Sequence, residues 1–239
     1  LHLRPLNEVL EPLKLLGALE RPYYAVTGPF VAWLIRIGVR PNTITTIGTG
    51  FVLVSAVLYG FGQIRLGGLL LLLSGLLDTL DGQVARGGAM VTKFGAFYDS
   101  TLDRVGDGAT FIGIGAFLLT APDVAFRNLA IVLCMVAILS SLLVSYARAR
   151  AEGLGIDCKV GIAQRAERII GLGAVSLIVG AGPRALVLEA CVGLLALAST
   201  ITVVQRFVYV HRMADGADGA VRVPTGARPA TLDTLAKGQ

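Results

Sequence analysis

Charge is scarce in this chain. Only 15% of its 239 residues are Asp, Glu, Lys or Arg, against roughly 25% in a soluble globular domain. Histidine occurs twice, as His2 and His211. Both sit at polar boundaries, where a lone imidazole is more often a surface residue than a ligand. There are three cysteines, Cys134, Cys158 and Cys191. They are odd in number and lack metal-ligand spacing, so they read as packing residues in a reduced or membrane setting, not as a disulfide framework. Residues 1 to 20 lack the apolar core of a cleavable signal peptide. No linker interrupts the hydrophobic part of the chain, which argues for one domain.

What fills the chain instead is apolar. Hydrophobic residues make up 54%, and the mean hydropathy is +0.73. That composition predicts an all-α integral membrane protein. Six spanning segments are expected, at about 42–62, 66–86, 93–120, 124–150, 166–182 and 185–210. Most are long enough to cross roughly 30 Å of hydrocarbon. The fifth is the shortest and carries Gly171, Gly173 and Gly180. Thirty glycines suit close helix packing in lipid.

Residues 1–40 form a juxtamembrane segment in this reading. Residues 1 to 20 are amphipathic but interrupted by Pro5 and Pro12. They fit an interfacial helix or an end that does not belong with the membrane domain. Residues 22 to 39 carry Pro29, Trp33 and Arg36 and read as a helix in the headgroup region. Pro41 and Asn42 then stop one helix and start the next, with Asn42 or Thr43 as N-cap. The membrane domain spans 41–212. Residues 213–239, rich in Gly, Ala, Asp, Pro and Thr, are expected to be a disordered tail.

The net charge of +5 is explained by topology better than by nucleic-acid binding. At one set of segment ends there are eleven Lys and Arg residues. The opposite set has only Arg65, Arg127 and Arg184. The positive-inside rule then puts both termini in the cytoplasm.

Against this apolar background, residues 78 to 103 are the anomaly. They hold Asp78, Asp81, Asp99 and Asp103. A carboxylate at hydrocarbon depth costs at least about 2.5–3.5 kcal/mol on insertion scales, so four of them need a common cause. Asp78 and Asp81 are three residues apart, and Asp99 and Asp103 four apart, so each pair shares one helical face. Two antiparallel helices would bring the four together. Converging anions repel one another unless protons or cations intervene. Oxygen ligands without His or Cys favour Mg²⁺, Mn²⁺ or Ca²⁺ over zinc or copper. Two divalent ions would balance the charge, and two-metal sites suit displacement at phosphorus. Gly82 and Gly95 remove bulk beside the acids, and Arg86 supplies a cation that could hold a phosphate. On these residues alone, an ion or proton pathway is an equal alternative.

A second stretch, residues 145 to 168, joins the fourth and fifth segments on the same side. Gly153 and Gly155 are expected to end the fourth helix. Arg165 and Arg168 share a helical face and could grip a phosphate with forked donors. Arg206, close to an apolar run, and Arg148 are further candidates. The plainer reading is a positive-inside loop in which Arg165 or Arg168 pairs with Glu167 or Glu152 at the surface.

The acidic pattern is Asp78-x-x-Asp81-Gly82-x-x-Ala85-Arg86, eight residues, then Gly95-x-x-x-Asp99-x-x-x-Asp103. It resembles the signature of the CDP-alcohol phosphotransferases, and all eight positions match in type and spacing. The resemblance implies a membrane enzyme that moves a phosphatidyl-type group from a CDP-linked lipid to an alcohol and releases CMP. It implies two Mg²⁺ or Mn²⁺ ions per active site on Asp78, Asp81, Asp99 and Asp103. Gly82, Ala85, Arg86 and Gly95 would border the nucleotide with Asp78 and Asp81. Asn42 lies in a Pro-Asn element that borders the nucleotide in that family. Asp103 matches the family's general base, and homodimers are the family's habit.

The stretch "YARARAEGLG" followed by "VGIAQRAER" is similar, more loosely, to prokaryotic phosphatidylinositol-phosphate synthases and their archaeal ether-lipid counterparts. That likeness implies CDP-diacylglycerol as donor and myo-inositol 1-phosphate as acceptor, with Arg148, Arg165, Arg168 and Arg206 on the acceptor phosphate. The expected setting is the plasma membrane of a prokaryote, with the active site cytoplasmic and membrane lipids around it. Glycerol 3-phosphate is the rival acceptor, since it too carries a phosphate. Serine and free inositol fit the basic cluster less well. A divalent-cation transporter would use the carboxylates but would not need Arg86 or the glycine spacing.

Overall fold

The computed structural model describes residues 27–216. All regular structure among them is helical. A first helix, α1, covers residues 27–36. It is followed by α2 (Pro41–Gly60), α3 (Ile64–Gly87), α4 (Lys93–Thr120), α5 (Arg127–Glu152), α6 (Arg165–Ile178) and α7 (Leu186–Gly216), with a 3₁₀ turn at Pro183–Ala185. The six long apolar stretches read from the sequence are therefore α2 to α7, with boundaries within a few residues. The expected helix in residues 1–20 and the tail beyond Gly216 lie outside the described residues. Met213 to Gly216, assigned to the tail, instead continue α7.

Among the described residues, three stretches are long and apolar enough to cross a membrane: Pro41–Gly60, Arg127–Glu152 and Pro183–Ala214. α3 and α4 differ from them because they carry the acidic residues. α6 differs because its 14 residues extend only about 21 Å at 1.5 Å per residue.

One start differs from expectation. The N-cap of α2 is Arg40, it makes no side-chain capping bond, and Pro41 occupies the first helical position. Proline has no N–H to satisfy and a pre-set φ, so it suits that position. Asn42 thus sits inside the first turn, not at the cap. The end of α5 is as expected: Gly155 takes φ +81°, and Ile156 N–H reaches back to the Ala151 carbonyl at 2.9 Å.

The core lies between α2, α3, α4, α5, α6 and α7. Tyr59, Ile114, Leu118, Leu188 and Val192 are fully buried there. Outward faces remain apolar, as Ile112, Leu139 and Leu194 show. A second small cluster seats α1: Val31 packs with Ile44 of α2 and with Leu80 and Val84 of α3. Trp33 and Phe30 stack on each other at 5.7 Å and stay half-exposed. Cys134 and Cys158 are buried free thiols and Cys191 is half-buried, none of them in a disulfide.

Glycine brings the backbones together at a few specific points. A methyl on Gly113 of α4 would lie 2.1 Å from the Ala56 carbonyl oxygen of α2. A methyl on Gly68 would meet the Gly173 carbonyl of α6 at 2.7 Å. Both are backbone contacts that cannot yield cheaply. Gly113→Ala is expected to destabilise the fold by about 1–3 kcal/mol, read as a lower unfolding temperature in detergent. Gly115→Ala on the same helix meets nothing within 4 Å and is the matched control.

Candidate active site

The turn between α3 and α4 builds the site. Gly88 N–H bonds back to Val84 at 2.9 Å, and Ala89 takes the left-handed conformation at φ 51°. Thr92 then caps α4 by accepting a hydrogen bond from Gly95 N–H at 2.9 Å. The chain reverses, and the last turns of α3 face the first turns of α4.

This arrangement brings the carboxylates together. Asp78, Asp99 and Asp103 each offer an oxygen, and these oxygens lie within 4.8 Å of one another. Asp81 lines the same cleft as Asp78 and Asp103. It is buried, and its Oδ2 accepts a hydrogen bond from Thr45 Oγ1 of α2 at 2.6 Å. Oδ1 of Asp99 is buried without a hydrogen-bond partner. A hard divalent cation satisfies such a donor set: all oxygen, anionic, with a buried acceptor left without a partner. The residues present therefore fit Mg²⁺ or Mn²⁺.

The small residues of the signature have neighbours of their own. A methyl on Gly82 would lie 3.2 Å from Arg86 Nη1, so the exposed Arg86 side chain folds back over Gly82. A methyl on Gly95 would lie 3.2 Å from Asn42 Oδ1. Thr46 and Tyr98 share a hydrogen bond at 3.0 Å beside them. The first turns of α2 and α4 thus meet at Asn42 and Gly95. Ala85 is half-buried on α3.

The arginines divide into three groups. Arg165, at the start of α6, faces the carboxylates: its Nη1 lies 2.7 Å from Asp78 Oδ1 and 3.0 Å from Asp103 Oδ1. Arg168 is one turn on and buried. Its Nη2 donates to Asp107 Oδ2 at 2.5 Å and its Nη1 to the Ala163 carbonyl at 3.1 Å. Neither arginine pairs with Glu167 or Glu152, which corrects the surface-loop alternative.

Arg206 is buried on α7. Its Nε donates to the Val160 carbonyl at 2.9 Å and its Nη1 to the Val144 carbonyl. Thr202, one turn earlier, accepts from Ala163 N–H at 3.0 Å. Arg206 and Thr202 thereby hold the loop that delivers Arg165 to the site. Arg148 stands apart. It is 42% exposed and pairs with Glu152 at 2.8 Å.

Two residues of the site were not read from the sequence. Asp107 follows Asp103 by four, so it continues the stripe of Asp99 and Asp103; that spacing was the available signal. Thr45 has no such signal, because a threonine in a helical run is ordinary until its partner is known.

A family model described as CDP-alcohol phosphatidyltransferase matches residues 38–204. The chain belongs to this family. The match covers the four signature aspartates, Asp107, Arg165 and Arg168, and ends two residues before Arg206. As a CDP-alcohol phosphatidyltransferase the chain is a transferase and a membrane protein.

Among its relatives is the archaetidylinositol phosphate synthase of Methanothermobacter thermautotrophicus. It is 43% identical over 177 residues, covering 73% of this chain and 85% of that one. The phosphatidylinositol phosphate synthase of Streptomyces avermitilis is 35% identical over 206 residues, covering 82% of each. The fold is similar to that of the Mycobacterium tuberculosis phosphatidylinositol phosphate synthase. The crystal structure of that protein with CDP-DAG bound superposes with a TM-score of 0.68 at 33% identity, covering 78% of this chain and 94% of that one. Its complex with manganese and citrate gives the same TM-score at 34% identity, covering 77% and 88%.

Proposed function

We propose that this CDP-alcohol phosphatidyltransferase transfers the phosphatidyl group of CDP-diacylglycerol to a hydroxyl of myo-inositol 1-phosphate. The products are phosphatidylinositol phosphate and CMP. The observation that carries the acceptor assignment is the arginine pair of α6: Arg165 lies against Asp78 and Asp103, and Arg168, one turn on, pairs with Asp107 behind it. A phosphorylated alcohol needs a cationic cradle next to the reacting phosphorus. The relatives' names support the same choice.

In the reaction the acceptor oxygen bonds to the lipid-side phosphorus. The bond from that phosphorus to the bridging oxygen breaks, and CMP leaves with the oxygen. Asp78, Asp81, Asp99 and Asp103 would hold two divalent ions, which supply charge neutralisation for the pyrophosphate when bound. Thr45 fixes the rotamer of Asp81 through its hydrogen bond. Asp103 takes the hydroxyl proton as general base. Asn42, Gly82, Ala85, Arg86 and Gly95 border the nucleotide. Arg165 and Arg168 orient the acceptor phosphate. Arg206 acts on the same site through the loop it holds, and Arg148 lies at its margin.

For the membrane setting, we read α2 to α7 as six spans, with α1 in the headgroup region. The amphipathic packing of α1 and the outward Trp33 support that placement. The arginine-rich ends of the helices support a topology with the carboxylates and both termini on the cytoplasmic side of a prokaryotic plasma membrane. Residues 41–212 form the membrane domain. The homodimer is carried over from the family resemblance.

The test is CMP release by purified protein with CDP-diacylglycerol and Mg²⁺, offered inositol 1-phosphate, glycerol 3-phosphate, serine and inositol in parallel. Release with inositol 1-phosphate alone is expected. Release with glycerol 3-phosphate instead keeps the carboxylate mechanism and overturns the acceptor. No release with any of the four from folded protein returns the carboxylates to an ion-transport reading.

A further inference from the structure

Asp107 lies outside the eight-position signature, one turn beyond Asp103 on α4. It is 8% exposed, and its two oxygens face different arginines. Oδ2 accepts from Arg168 Nη2 at 2.5 Å, and Oδ1 lies 3.8 Å from Arg165 Nε. Arg168 is 4% exposed, and the rest of its bonding is to the Ala163 carbonyl. Arg165 has a side chain 21% exposed and turns its Nη1 towards Asp78 and Asp103. The same two arginines and Asp107 line one cleft, and Arg165 also lines the cleft of Asp78, Asp81 and Asp103. Arg165 is thus the partition between the two, with Asp107 behind it.

We propose that Asp107 is a positioning residue that sets selectivity for a phosphorylated acceptor. It holds Arg165 and Arg168 as a fixed pair of cations beside the reacting centre. The inference rests on the acceptor reading above. Two guanidiniums three residues apart on one helix repel each other, and a buried one without a carboxylate is unfavourable. A single carboxylate between them offsets both effects. It also fixes the planar forks of two arginines that line one cleft. Asparagine at this position keeps the size but turns N–H donors toward N–H donors. At least one arginine must then leave its place.

The experiment compares wild type, Asp107→Asn and Asp107→Glu as full chains in detergent, by steady-state CMP release. The acceptor is varied at saturating CDP-diacylglycerol, and the donor at saturating acceptor. Inorganic phosphate serves as a competitor of the acceptor. For Asp107→Asn the acceptor KM is expected to rise at least tenfold and the phosphate inhibition constant to rise with it. The CDP-diacylglycerol KM is expected to stay within about twofold. Asp107→Glu, which restores the charge, should recover most of the loss. An equal rise in both KM values, or a fall in kcat with both KM values unmoved, overturns the proposal.

Where Asp107→Asn does not fold, Arg168→Lys takes its place, since it keeps the charge but loses the fork. The same acceptor-specific rise is expected, and an unmoved acceptor KM overturns the proposal. A wild type that uses glycerol 3-phosphate removes the inositol assignment alone, and the KM split is then read against that acceptor. A wild type that uses only unphosphorylated alcohols overturns both. A wild type selective for phosphorylated acceptors, with Asp107→Asn unchanged, overturns this inference alone.

Discussion

Asp103→Asn is expected to lower kcat by roughly 10²–10⁴-fold, the range for loss of a general base, while CDP-diacylglycerol still binds. Asparagine matches the carboxylate in size but cannot take the acceptor's proton. The position is also central in the geometry. One oxygen lies 3.0 Å from Arg165 and the other 3.7 Å from Arg104, and Asp103 belongs to the group of three carboxylates within 4.8 Å. The variant therefore has two ways to fail, as a base and as a ligand. Raising Mn²⁺ separates them. A rate deficit that persists at saturating Mn²⁺ marks the lost base. Recovery at high Mn²⁺ would reduce Asp103 to a ligand, and near-normal activity throughout would remove both roles. Donor binding by titration calorimetry is the accompanying control.

Removal of divalent ions is the second large effect. Chelation is expected to cut CMP release by at least about 10³-fold, and Mg²⁺ or Mn²⁺ to restore it. The reason is electrostatic. Two unit charges 4 Å apart interact by about 4 kcal/mol at an effective dielectric constant near 20, and three carboxylate oxygens lie within 4.8 Å here. Arg165 offsets part of that repulsion and leaves Asp99 Oδ1 without a partner. Cation binding to the folded state alone also stabilises it, by about 2.7 kcal/mol at a hundred times Kd. Mn²⁺ should therefore raise the unfolding temperature of the wild type, and raise it much less in Asp99→Asn. Full activity in excess chelator would contradict the metal assignment.

The four signature aspartates were legible because an acid in an apolar helix has no cheap structural reason to exist, and their spacing fixed which face they share. The helices were legible from apolar length, even α6, whose glycines announced close packing and whose Gly173 does face Gly68. Asp107 was passed over although it carries the same i, i+4 signal as Asp103. Its meaning depends on Arg168, which is 61 residues away in sequence. The same limit hid Thr45. Arg206 stood out by its closeness to an apolar run and is buried, but its partners are carbonyls of an irregular loop and of α5, which no periodicity reveals. The start of α2 was misplaced by a turn chemistry rule: Asn42 is a good N-cap, yet Pro41 at the first helical position prevailed.

The acceptor's own phosphate can be followed into the lipid product. Purified protein, CDP-diacylglycerol and Mg²⁺ are incubated with inositol 1-phosphate labelled on phosphorus, and the lipids are extracted. Label is expected in a chloroform-soluble product, equimolar with the CMP released and absent from Asp103→Asn. CMP release without label in the lipid would show that another alcohol is the acceptor, and the role given to Arg165, Arg168 and Asp107 would fall with it.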